Sequence, residues 1–61
     1  MELDVDKIES EMIKQDRNKS WIAKKAGVSP QLVLYWLQTR TIKAAEPIGK
    51  ALGIEPKDLL K

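Results

Sequence analysis

The sequence predicts an all-α fold, a compact bundle of five short helices forming a single domain over residues 1–61. Three observations lead there. Apolar residues recur at helical spacing, as in Val5, Ile8 and Met12 at i, i+3 and i+7. Residues that start and stop helices bracket these runs, with Asp4, Asn18 and Ser29-Pro30 before them and Gly27 and Gly53 after them. The connections left between the runs are short, as in a compact helical domain.

The first helix is expected from Asp4 or Val5 to Gln15. Asp4 or Asp6 caps its start, and the acids crowded there suit the positive end of the helix dipole. "QDRN" reads as a loop. Asn18 is a plausible N-cap for a second helix, Lys19 to Ala26, whose inner face is Ile22, Ala23 and Ala26, with Lys24 and Lys25 pointing outward. Gly27 stands where a helix ends in a left-handed residue, and Val28 fills the corner. Ser29 followed by Pro30 is a strong start signal for a third helix reaching about Gln38. That helix sorts into two faces, Val33, Trp36 and Leu37 on one and Gln31, Leu34, Tyr35 and Gln38 on the other, with Leu32 between. "TRTIK" reads as a loop. A fourth helix is expected from Ala44 or Glu46 to Leu52, with Pro47 tolerable only in its first turn and Gly53 at its end. Ile54 and a short helical turn from Pro56 to Leu60 close the core with Leu59 and Leu60.

A chain of this length buries only about 60% of the surface its unfolded form exposes, so its stability is marginal. It has no cysteine and no histidine, which excludes disulfide staples and the usual zinc frameworks. With 43% hydrophobic and 33% charged residues it reads as globular rather than disordered. No apolar run approaches a membrane span and no signal-peptide pattern opens the chain, so a cytosolic location is the default expectation. The net charge of +2 says little, but its distribution says more. Six of the nine acids lie in the first sixteen residues, whereas Arg17 to Ala45 contains no acid and six bases, namely Arg17, Lys19, Lys24, Lys25, Arg40 and Lys43. A basic middle between acidic flanks suits a polyanion partner.

The stretch "WIAKKAGVSPQLVLYWLQTR" (21–40) combines a helix, a sharp turn and a second helix inside that basic middle. Together "IAKKAGVSPQLVLYW" and "ALGIEPKDLL" resemble the phage repressor and Cro type of helix-turn-helix domain, also called the XRE or lambda-repressor-like family. The resemblance covers about Ile8 to Leu60. It implies that the second helix crosses the DNA backbone and the third lies in the major groove. Carried over position by position, Pro30, Gln31, Leu34, Tyr35 and Gln38 would face bases, and Lys19, Arg40, Thr41 and Lys43 would hold phosphates. Gln31 could bond an adenine edge in bidentate fashion, and Leu34 and Tyr35 could touch thymine methyl groups. The phosphate contacts would set register and salt sensitivity but not sequence.

Three departures from the family pattern stand out. Members usually place glutamate and then glycine near the end of the reading helix, where this chain has Leu37 and Thr39. In many of them the glutamate pairs with an arginine of the first helix, and the matching position here is Met12. Both halves of that ion pair are thus apolar, a replacement that can be made at little cost, and Leu37 is expected to lie in the core against Met12. Second, Arg17 occupies a slot that is often apolar. Third, the outer face of the third helix lacks the Arg, Lys, Asn or Ser that usually grips bases.

The function implied is sequence-specific binding of double-stranded DNA by a small phage- or prophage-type transcriptional repressor. A homodimer on a two-fold operator is its expected working form, with Ile42 and Ile54 as candidate dimer positions. The alternative keeps the fold but makes it a protein-binding module, an antirepressor or regulator partner acting through Leu34, Tyr35 and Trp21. A third possibility is the N-terminal part of a longer regulator. Trp36 is expected in the core, and Trp21, on the outer side of the second helix, either lies flat over a neighbour or faces the DNA backbone or a partner chain. Without histidine, cysteine, a glycine-rich phosphate cradle or an inward pair of acids, the sequence offers catalysis no foothold. No metal, cofactor, membrane or small-molecule partner is expected.

Overall fold

The computed structural model describes all 61 residues and contains four α-helices, α1 (Val5–Lys14), α2 (Lys19–Ala26), α3 (Pro30–Thr39) and α4 (Ala45–Leu52). Two 3-10 turns accompany them, Ile42–Ala44 and Pro56–Leu59. The expected fifth helix is therefore a 3-10 turn. It is only four residues long and opens on Pro56, too short for the hydrogen-bond ladder of an α-helix to develop. The expected loop at 39–43 is also mostly helical: Thr39 closes α3 and Ile42–Ala44 runs directly into α4, so that only Arg40 and Thr41 remain outside helix.

Side chains start the first three helices where the sequence says they should. Asp4 accepts the Lys7 N–H at 3.1 Å, Asn18 the Trp21 N–H at 2.8 Å and Ser29 the Leu32 N–H at 3.2 Å, each satisfying a donor that the first turn leaves free. The start of α4 has no such side chain. The preceding 3-10 turn serves instead, with the Ile42 carbonyl accepting the Ala45 N–H. Pro47 falls within the first turn of α4, where its missing N–H costs nothing.

All four α-helices stop in the same way. A left-handed residue follows each, namely Asp16 (φ 55°), Gly27 (φ 76°), Arg40 (φ 53°) and Gly53 (φ 75°). The next N–H then reaches back five residues: Arg17 to Met12 O (2.8 Å), Val28 to Ala23 O (2.9 Å), Thr41 to Trp36 O (3.2 Å) and Ile54 to Gly49 O (2.8 Å). This six-to-one closure is the outer bond of the Schellman motif, whose inner bond also forms at α1 and α2, and glycine enters its left-handed residue most readily. Two of the four sites use glycine; Asp16 and Arg40 adopt the same conformation with a Cβ to accommodate.

Thirteen apolar residues form one core, and no polar or charged residue is buried. Ile8 and Met12 enter it from α1, Ile22 and Ala23 from α2, Val33 and Leu37 from α3, and Ala45, Ile48, Ala51 and Leu52 from α4. Ala44, Leu59 and Leu3 complete it. Val28, Trp36, Ile54 and Leu60 pack against it half-buried. Leu3 has no counterpart in the helical pattern. Its seat comes from an antiparallel pairing of the chain ends, in which Leu3 faces Leu60, Glu2 and Lys61 exchange two backbone hydrogen bonds of 2.8 Å, and the Asp4 N–H donates to Leu59 O at 2.7 Å. A second tie links the far ends of α1 and α4, where the Gln15 side-chain amide donates to Leu52 O at 3.0 Å. No helix is long and apolar enough to cross a membrane.

Gly49 fixes how α4 meets the C-terminal turn. A Cβ added there would stand 2.6 Å from the Ile54 carbonyl oxygen and 3.4 Å from the Pro56 backbone. The obstacle is main chain, held by the Ile54–Gly49 hydrogen bond itself. Gly49→Ala is therefore expected to destabilise the fold by about 1–3 kcal/mol, although alanine is the better helix former. Urea denaturation checks it; a variant as stable as the parent would show that the α4 exit relaxes freely.

Candidate nucleic-acid interface

The two faces of α3 have separate fates. Val33 and Leu37 are buried and Trp36 is half-buried against the core. Pro30, Gln31, Leu34, Tyr35 and Gln38, the five positions expected to face bases, are all exposed, Leu34 at 43% and Tyr35 at 58%. Leu32, expected between the faces, is borderline at 37%. No hydrogen bond within the chain engages the side chains of Gln31, Gln38 or Tyr35. α3 thus presents two amides and a phenol, free to bond a partner, around an apolar centre.

Leu37 and Met12 belong to the same core cluster, at 6% and 7% exposure. Both positions are thus buried and apolar, with no charged residue in the core beside them. Arg17 does not enter the core. Its guanidinium lies 4.3 Å from the centroid of the Trp21 ring, so the two residues that looked misplaced in the sequence cover each other in a cation–π contact.

Of the expected phosphate positions, Arg40, Thr41 and Lys43 follow directly on α3. The Thr39 hydroxyl donates to Tyr35 O at 2.8 Å and lies 2.6 Å from the Thr41 hydroxyl, which positions Thr41 against the helix end. Lys43 is exposed and makes no ion pair, while Arg40 faces Glu2 across 3.7 Å. Glu2 engages only one side of that guanidinium, at an exposed site. Lys19 is half-buried in the first turn of α2, and no polar contact joins it to the other three. Between α2 and α4 an open hollow brings Lys25, Lys43 and Lys50 together beside Glu46, Ala26 and Pro47. Lys50 escaped sequence reading because it lies outside the acid-free stretch; its helical register with Glu46 on α4 was the available signal. Of the two candidate dimer positions, Ile42 is 44% exposed, whereas Ile54 packs against the core.

The chain matches no family model, no curated protein and no solved structure.

Arg40 joins a structural and a functional question in one residue. Its left-handed conformation costs a non-glycine residue about 1 kcal/mol. Arg40→Gly is expected to raise stability by roughly that amount, since the exposed pair with Glu2 contributes little. Arg40→Ala removes the same charge without relieving the backbone. Urea denaturation of the two variants separates them, and equal midpoints would show that the αL residue is unstrained.

Proposed function

We propose that this domain binds double-stranded DNA sequence-specifically as a transcriptional regulator of the repressor type. In this reading α2, the turn at 27–29 and α3 act as a helix-turn-helix, and α3 enters the major groove. The observation that carries it is the division of α3: an inner face in the core and an outer face of exposed, unbonded Gln31, Leu34, Tyr35 and Gln38, followed at once by Arg40, Thr41 and Lys43. Gln31 matches the donor–acceptor pattern of an adenine edge, Leu34 and Tyr35 suit thymine methyl groups, and the residues after the helix suit phosphates. Pro30 sets the entry of the helix, and Lys19 offers a further phosphate contact from α2.

A single module of this size makes few phosphate contacts. The working form we propose is therefore a homodimer on a two-fold site, with half-sites about 34 Å apart. A cytosolic location accompanies this reading. Selection from a random duplex library tests it: enrichment of one motif, with affinity falling as salt rises, is expected. Failure to retain duplex at any salt would sink it.

The apolar centre of the same face favours one second reading, a protein-binding module of this fold. Leu34 and Tyr35 are exposed apolar neighbours that a partner protein could cover, whereas Trp21, the third residue of this reading, is half-buried against the core with Arg17 over its ring. In that case alanine at Leu34 and Tyr35 would abolish a protein complex while nucleic acid had no effect on it.

A further inference from the structure

The seam between α2 and α4 holds two cations that neither reading of α3 uses, Lys25 and Lys50, beside Lys43, which the DNA reading does use. Lys25 in the last turn of α2, Lys43 in the 3-10 turn and Lys50 in the last turn of α4 line one open hollow. Glu46 is the only carboxylate there, and although it lies four residues before Lys50 the two form no ion pair. All three ion pairs of the chain lie elsewhere, at Lys7–Glu11, Lys14–Glu11 and Arg40–Glu2. Three ammonium groups therefore share a concave surface with one carboxylate. Lys25 also borders a shallower hollow with Trp21 and Lys24, so the cationic strip continues along α2.

We propose that this hollow binds a multiply charged phosphoryl anion. The chemistry follows from the lining. Lysine ammoniums are compact, rotatable point charges that bind phosphoryl oxygens without demanding a bidentate planar fit, and three of them together match an anion of high charge density. Ala26, Ala51 and Pro47 leave the space between the lysines open. The walls are anchored in one core, which Ile22 and Ala23 of α2 share with Ile48 and Ala51 of α4. Glu46 opposes any anion, so a single weak charge does not suffice and the occupant must carry several. Two sources supply that chemistry: consecutive phosphates of a nucleic-acid backbone, which the hollow could meet because Lys43 lies just beyond the end of α3, and a free oligophosphate. The first source rests on the DNA reading above; the second does not.

The test is an amide-shift titration of the intact chain with tripolyphosphate, beside duplex binding measured between about 50 and 200 mM salt. The parent and the Lys25→Gln/Lys50→Gln double variant are compared. Both lysines are exposed, so the double variant should keep the parent's circular dichroism. Saturable shifts at Lys25, Ala26, Glu46 and residues 48–51, weakened at least tenfold in the variant, support a free anion. A log–log salt slope about 2 units shallower in the variant, with the preferred base sequence unchanged, supports backbone phosphates. If tripolyphosphate produces no saturable shift and the salt slope is the same in both proteins, the proposal is overturned, while motif selection by α3 can still stand. If duplex never binds but tripolyphosphate does, the DNA reading fails and the hollow survives it.

Discussion

Leu3→Ala is expected to remove about 2–4 kcal/mol of stability, the usual cost of emptying a fully buried leucine site. For a chain of 61 residues the whole stability is on the order of 3–9 kcal/mol, so this one truncation would remove a large share of it. The side chain is completely buried, yet it lies outside every helix, in a segment whose place is fixed by backbone bonds to Leu59 and Lys61. The substitution leaves those bonds intact and empties the space they enclose. Ile13→Ala is the comparison: it removes a similar aliphatic side chain, but one that is 81% exposed in α1, and should shift stability by no more than about 0.5 kcal/mol. Fluorescence of Trp21 and Trp36 during urea unfolding reports both variants. Equal midpoints for the two would mean that the ends of the chain do not close the core.

That contrast also marks how far the sequence could be read. Helix starts were legible because a short polar side chain meets a local backbone donor within three residues, at Asp4, Asn18 and Ser29. The two faces of α3 were legible because burial follows the helical repeat, and Val33 and Leu37 stand one turn apart on the buried side. What escaped was non-local or locally atypical. The pairing of Leu3 with Leu60 joins opposite ends of the chain, and no periodicity announces it. The Gln15 bond to Leu52 O spans thirty-seven residues in the same way. Asp16 and Arg40 take left-handed conformations that glycine would have advertised. The 3-10 turn at Ile42–Ala44 was missed because so short a segment has too few positions to show a pattern. At the candidate interface the five outer positions expected on α3 are exposed, along with Leu32 and Thr39, whereas Lys50 reaches the lysine-lined hollow through the packing of α2 on α4.

The sharpest functional prediction concerns Gln31. If α3 reads bases, Gln31→Ala should cost about 1–3 kcal/mol of discrimination at one base pair of the preferred site, roughly a 5- to 150-fold loss of preference there. Its salt dependence should stay that of the parent, because a base-edge contact releases no counterions. Lys43→Ala should show the opposite pattern, weakening binding to every sequence alike and making the salt slope shallower by about 0.9. Neither change should disturb the fold: both side chains are exposed and without hydrogen bonds or ion pairs to their own chain, and alanine is an adequate helix residue. Repeating the library selection with each variant, followed by titrations on the selected site, reads both effects at once. A Gln31→Ala protein that selects the parental motif with undiminished preference would remove the only bidentate adenine reader in the first turn of α3. The outer face would then be left with Leu34 and Tyr35 as its chief contacts, and an apolar pair of that kind fits a protein partner better than a base edge.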